Sequence, residues 1–257
     1  MKRGSPYLWF NGALPVIDDG SNSQRLERIR KLSNVYLSTD VLGFLPRLVN
    51  LQHLSVNVPK DYQSTFLTIS RLRSFRLGEV HSSFDLQRFL AATAETIEDL
   101  QIPLETFFDL NLRDYSHLKR LELRMWKQEE DLLWTDGEGT NFWARAEGCP
   151  NLTTLAFTYH ELSSRAADRL TGDARGLAFC SPPSLRRVDF TWNFSLDQLA
   201  TLVSAGCISE LGLVTGYLEE YKTQNENDLH RMKLIRTMCE ENEVELIHLP
   251  FEIGDVQ

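Results

Sequence analysis

Cys149-Pro-Asn-Leu152-Thr-Thr-Leu155-Ala-Phe157 is the stretch that decides how this chain folds. A Pro-Asn pair, a turn signal, leads directly into apolar residues at the first, fourth and sixth places of a short segment. Successive side chains of a strand point to opposite faces, so Leu155 and Phe157 share one face. Leu152 then sits where the chain turns into the strand. A single such segment cannot bury its apolar face alone and needs copies beside it.

The copies are present. The same 1-4-6 spacing occurs at Leu32, Val35 and Leu37, at Leu51, Leu54 and Val56, at Leu72, Phe75 and Leu77, and at Ile97, Leu100 and Ile102. It recurs at Leu118, Leu121 and Leu123, at Leu185, Val188 and Phe190, at Ile208, Leu211 and Leu213, and at Val244, Ile247 and Leu249. The starting positions lie 19 to 36 residues apart. Between the triplets lie helix-like or turn-like returns. Asp85 is placed to cap a helix with Leu86, Phe89 and Leu90 on one stripe. Ser195-Leu-Asp-Gln198 has the form of a capping box, with Leu196, Leu199, Leu202 and Val203 forming the apolar stripe behind it. Asp228 is placed to start a longer helix whose Leu229, Met232, Ile235 and Cys239 face the core. Pro46 restricts the Leu45–Leu51 return to a short one.

A strand followed by a return on one side makes neighbouring strands parallel, with right-handed crossovers. The expected fold class is therefore α/β: a leucine-rich-repeat-like solenoid with a curved parallel sheet of about nine strands and helices and loops on the convex face. Residues 1–28 do not fit the period and are expected to form an N-terminal cap or flexible segment, and residues 29–257 the repeat domain.

The spacing Leu-x-x-Leu-x-Leu with Pro-x-Leu leading in resembles the leucine-rich repeat. Gly148-Cys-Pro-Asn-Leu-Thr-Thr-Leu155 is similar to the cysteine-containing subtype of F-box proteins, and Leu45-Pro-Arg-Leu-Val-Asn-Leu-Gln-His-Leu54 to the lead-in of ordinary repeats. The irregular lengths resemble the repeat region of fungal F-box proteins. The Asn expected three places after the last apolar strand residue occurs only as Asn193. In such proteins a helical module ahead of the repeats docks a ubiquitin-ligase adaptor, and the repeats hold the substrate. Ala13-Leu-Pro-Val-Ile-Asp-Asp19 is similar to the start of that module, but no amphipathic helices follow, so adaptor binding is not carried over. An F-box upstream of Met1 would make this chain a fragment.

Composition sets further bounds. The chain is 42% hydrophobic and 25% charged, an ordinary globular balance. It has neither an apolar run long enough for a membrane span nor an apolar region behind its basic start for a signal peptide. Cys149, Cys180, Cys207 and Cys239 have neither metal-ligand nor disulfide-framework spacing, which points to reduced thiols and a cytoplasmic or nuclear protein. The net charge of −9 excludes a basic nucleic-acid footprint, and residues 218–257, with ten acidic and four basic residues, carry −6 of it.

The third, fifth and seventh places of each strand point away from the core. Candidate partner-binding residues on that face are Tyr36, His53, Arg76, Arg120, Arg124, Trp126, Arg187 and Asp189. Arg and Trp are favoured at binding hot spots because they combine large area with planar donors. The competing reading is that Glu122 and Asp189 pair with the arginines across the strands. The long insertion Trp126–Trp143, with Glu129-Glu-Asp131 and Trp134, is a second candidate for recognition. The sequence has no His-Glu-x-x-His, nucleophile elbow or phosphate-cradling loop. No cofactor is expected. The expected function is a non-catalytic protein-interaction module, in its specific form the substrate-recognition region of an F-box-type receptor. The alternative is a stand-alone scaffold or inhibitor that holds a basic protein partner on its acidic surface.

Overall fold

In the structure, a computed structural model, residues 7–9, 26–59, 69, 71–80, 84–107, 110–125, 148–159, 182–190, 196–214 and 226–249 are described. The chain clusters into two compact units, Met1–Lys119 and Arg120–Gln257.

The first unit contains β1 (Tyr7–Trp9), β2 (Lys31–Tyr36), β3 (His53–Val58), β4 (Ser74–Val80) and β5 (Asp99–Pro103). The second contains β6 (Arg120–Met125), β7 (Thr154–Tyr159), β8 (Arg187–Phe190), β9 (Glu210–Val214) and β10 (Glu245–Leu249). Within each unit the strands are neighbours in sequence order. Every pairing among them that the described residues define is parallel. The returns include α1 (Thr39–Phe44), α2 (Leu86–Leu90), α3 (Leu104–Phe107), α4 (Leu196–Ser204) and α5 (Glu226–Glu241). Each unit thus has the α/β class expected from the spacing, parallel strands joined by helical or turn returns. No helix among the described residues is long and apolar enough to cross a membrane.

The triplets from Leu51 to Leu213 are buried throughout. Each fully buried Leu or Phe contributes about 1.5–3 kcal/mol of transfer free energy. Phe157 and Phe190, on adjacent strands, stack with ring centroids 5.5 Å apart. A further buried place, three residues before several of the triplets, escaped the sequence reading. Leu48, Tyr115 and Cys149 occupy it, each accepting a hydrogen bond on its carbonyl from the first triplet residue at 3.0–3.2 Å. Leu26 and Ile29 stand in the same relationship, 3.1 Å apart, so the first repeat begins there.

The two ends of the series differ from the expected register. Leu32 pairs with Leu54 and Val35 with Val56, one residue too many on β2, and Asn34 absorbs the excess as a bulge at φ 56°. Lys31, not Asn34, therefore takes the third place beside His53. Ser38 is not a strand residue: its hydroxyl accepts from the Val41 amide at 3.3 Å and caps α1. At the other end Glu245 pairs with Glu210 and Ile247 with Gly212. The triplet Val244, Ile247 and Leu249 places Leu246 opposite Glu210 and His248 opposite Gly212, so the observed pairing is one residue out of step with it. A slip of one residue exchanges the faces. Ile247 and Leu249 lie on the outward face, and Leu249 Cδ1 would be 3.2 Å from a β-carbon on Gly212. The slip follows Glu243, whose φ of 57° closes the turn after α5.

The helix signals read well. The Asp85 carboxylate caps α2 through the Arg88 amide at 2.9 Å, and Pro46 lies in the short turn Leu45–Arg47. In α5, Ile235 and Cys239 are buried, and the helix starts at Glu226, two residues ahead of Asp228. Ser195, Cys180 and the insertion 126–143 lie outside the described residues.

Candidate functional site

The side chains facing away from the core in the second unit form rows across the strands. The first row is Arg120, Thr154, Arg187, Glu210 and Glu245, and the second is Glu122, Ala156, Asp189, Gly212 and Ile247. Strands are about 4.8 Å apart, so side chains along a row touch and long ones reach one strand further.

The second row holds small residues at alternate places, which lets the arginines of the first row lean over it. Arg120 donates to Glu122 at 2.8 Å and also approaches Asp189 at 3.5 Å, across the intervening strand where Ala156 leaves room. Arg187 Nε donates to the other oxygen of Asp189 at 2.6 Å, and its Nη1 lies 3.8 Å from Glu210. The Thr158 hydroxyl donates to Glu122 at 2.8 Å. Asp189 and Glu122 are 5% and 13% exposed in their side chains, whereas Arg120, Glu210 and Arg187 are 39%, 34% and 27% exposed. The acids lie below and the guanidinium groups above. Burying a carboxylate costs several kcal/mol, which two guanidinium partners offset. The more exposed pairs add little, about 0–1 kcal/mol each.

Of the candidate residues, Arg120, Arg187 and Asp189 come together in this network. The competing reading, arginines paired with Glu122 and Asp189, describes their geometry. Arg124 lies on the same strand as Arg120 but is buried and engaged in interactions of its own. The strand pattern assigns it a face but not a depth. Trp126 is outside the described residues.

The other candidates belong to the first unit. Tyr36, paired with Asn57, is exposed. Arg76 sits beside Ser55 on β3 and Gln101 on β5. His53 lies between Lys31 and Ser74, and the Ser74 hydroxyl donates to Asp99 at 3.1 Å. The His53 ring is solvent-exposed by area, yet partial burial against its neighbours lowers its pKa, with Lys31 and Arg73 adding to the effect and Asp99 opposing it. At the edge of this unit the hydrogen bond from Lys119 holds the Glu98 carboxyl below its usual range.

Cys149, Cys207 and Cys239 are free thiols. Burial pushes Cys149 up to about 12 and raises the other two, so none has the low pKa of a reactive nucleophile. Among the described residues no His, Cys, Asp and Glu cluster is placed to hold a metal ion.

Sequence reasoning placed Glu210 on the face without naming it a candidate, and missed Glu245 and Ile247. The Glu210 signal was its third place after Ile208 and before Leu211; the other two were hidden by the register slip. No family model matches the chain, and no curated protein sequence matches it.

Proposed function

We propose that this chain is a leucine-rich-repeat-like, non-catalytic interaction module that holds a protein partner on the outward sheet face of its second unit. One observation carries this reading: two partly exposed guanidinium groups are oriented by largely buried carboxylates, Arg187 by Asp189 and Arg120 by Glu122 and Asp189 together. Fixed donors lose little conformational entropy on binding, which favours recognition over chemistry. The buried thiols fit a reducing compartment, cytoplasm or nucleus. The specific form is substrate recognition for an F-box-type ubiquitin ligase.

Affinity purification with wild-type protein and the Arg120→Ala variant tests this reading. A partner recovered with the first and lost with the second supports it. Identical recovery sinks the assignment of the face. Co-purification of the ligase adaptor supports the F-box form. Recovery of a tight basic partner without the adaptor replaces that form with a stand-alone scaffold.

A further inference from the structure

We infer that the segment held on this face is extended and carries an acidic and a basic side chain two residues apart. The inference rests on the reading of the face as a protein-binding surface and specifies what binds there.

The first row runs from positive to negative. Arg120 and Arg187 converge on Asp189 at one end, Arg120 also binding Glu122 and Arg187 lying 3.8 Å from Glu210, while Glu210 and Glu245 are paired neighbours at the other. Asp189 is buried beneath the arginines, so an approaching chain meets the guanidinium edges first. A carboxylate suits those edges, since a guanidinium presents parallel donors at carboxylate spacing. At the acidic end the register slip adds an apolar shelf. Ile247 lies on the same face as Glu245, two places along β10 and beside Gly212. Lysine and arginine bury an aliphatic stem while keeping the charged head in polar surroundings. Such a side chain rests its stem on Ile247 and reaches Glu210 and Glu245 with its head.

The spacing follows from the strands. Arg187, the nearer arginine, lies one and a half strand intervals, or about 7 Å, from the midpoint of the glutamate pair. An extended chain rises about 3.3 Å per residue and returns to the same face every second residue. Acid-x-base, in either direction, meets both conditions.

A displayed library of random dodecapeptides, selected on the full chain, tests the inference. Enrichment of acid-x-base sequences is the expected result. In the Glu210→Gln/Glu245→Gln variant, which changes only partly exposed groups, those peptides bind about tenfold more weakly and the basic preference disappears. In Arg120→Ala the acidic preference weakens instead. Enriched peptides with no charge pattern, or a pattern indifferent to both variants, overturn the inference while leaving the binding reading in place. Failure to enrich any peptide overturns the inference, whereas identical partner recovery by Arg120→Ala in affinity purification sinks the assignment of the face.

Discussion

Gly212 and the carboxylate of Asp189 occupy one place between them: a β-carbon on the glycine would lie 2.9 Å from Asp189 Cγ and closer still to its Oδ1. The two residues are in register on β9 and β8. The absence of a side chain at Gly212 is what lets Asp189 lie flat beneath the arginines. Gly78 makes room for the Asn57 side chain in the same way in the first unit.

The first prediction concerns that relationship. Gly212→Ala forces Asp189 out of line with two guanidinium partners, so an overpacking cost of about 1–3 kcal/mol is expected. Chemical denaturation measures it. The companion change Asp189→Gly removes the clash, so the two substitutions should be non-additive. Simple additivity contradicts the packing argument.

Glu243 gives the second prediction. A non-glycine residue in the left-handed region carries a steric cost of about 1–2 kcal/mol. Glu243→Gly relieves it and should stabilise the protein by about 0.5–1 kcal/mol, net of the extra freedom glycine gives the unfolded chain. A thermal melt that moves down rather than up refutes the turn geometry from which the β10 register follows.

His53 sets a pH dependence. Its folded pKa lies below the ordinary value of 6.5, so the unfolded chain takes up the proton first as pH falls. The contribution to stability is whole above about pH 6.5 and declines as pH drops through the folded value. His53→Gln should flatten that part of the profile, and an NMR titration of the ring should give a midpoint below 6.5.

Cys149 should resist alkylation in the native protein at pH 8, because burial pushes its thiol up to about 12. Iodoacetamide followed by peptide mass mapping is expected to mark Cys149 only after denaturation. Rapid native labelling contradicts its placement in the turn before β7.

The central repeats were legible because Leu152, Leu155 and Phe157 and their counterparts combine one spacing with one turn chemistry. Apolar content alone did not fix the ends. In Leu246-Ile-His-Leu249 both alternate sets contain a leucine, so either set suits a core face, and only the backbone turn at Glu243 selects between them. Asn34 was similar: a bulge adds a residue without changing the hydrophobic pattern much. The pairing of Asp189 with the arginines was legible as the competing reading. That Arg120 reaches it over a whole strand was not, because this depends on the small side chain of Ala156 between them. The buried place at Leu48, Tyr115 and Cys149 was hidden by its chemical variety.

The amides entering the strands follow one rule. Gln52 and His53 both donate to the Arg30 carbonyl, Arg73 and Ser74 to Gln52, and Glu98 and Asp99 to Arg73. Arg186 and Arg187 donate to Thr153, and Ser209 and Glu210 to Arg186. Each stitch takes its anchor from the one before it, whatever side chains are involved. A duplicated or excised whole repeat inside either series would find the same anchor waiting, so these series are grammars that tolerate new sentences of different length.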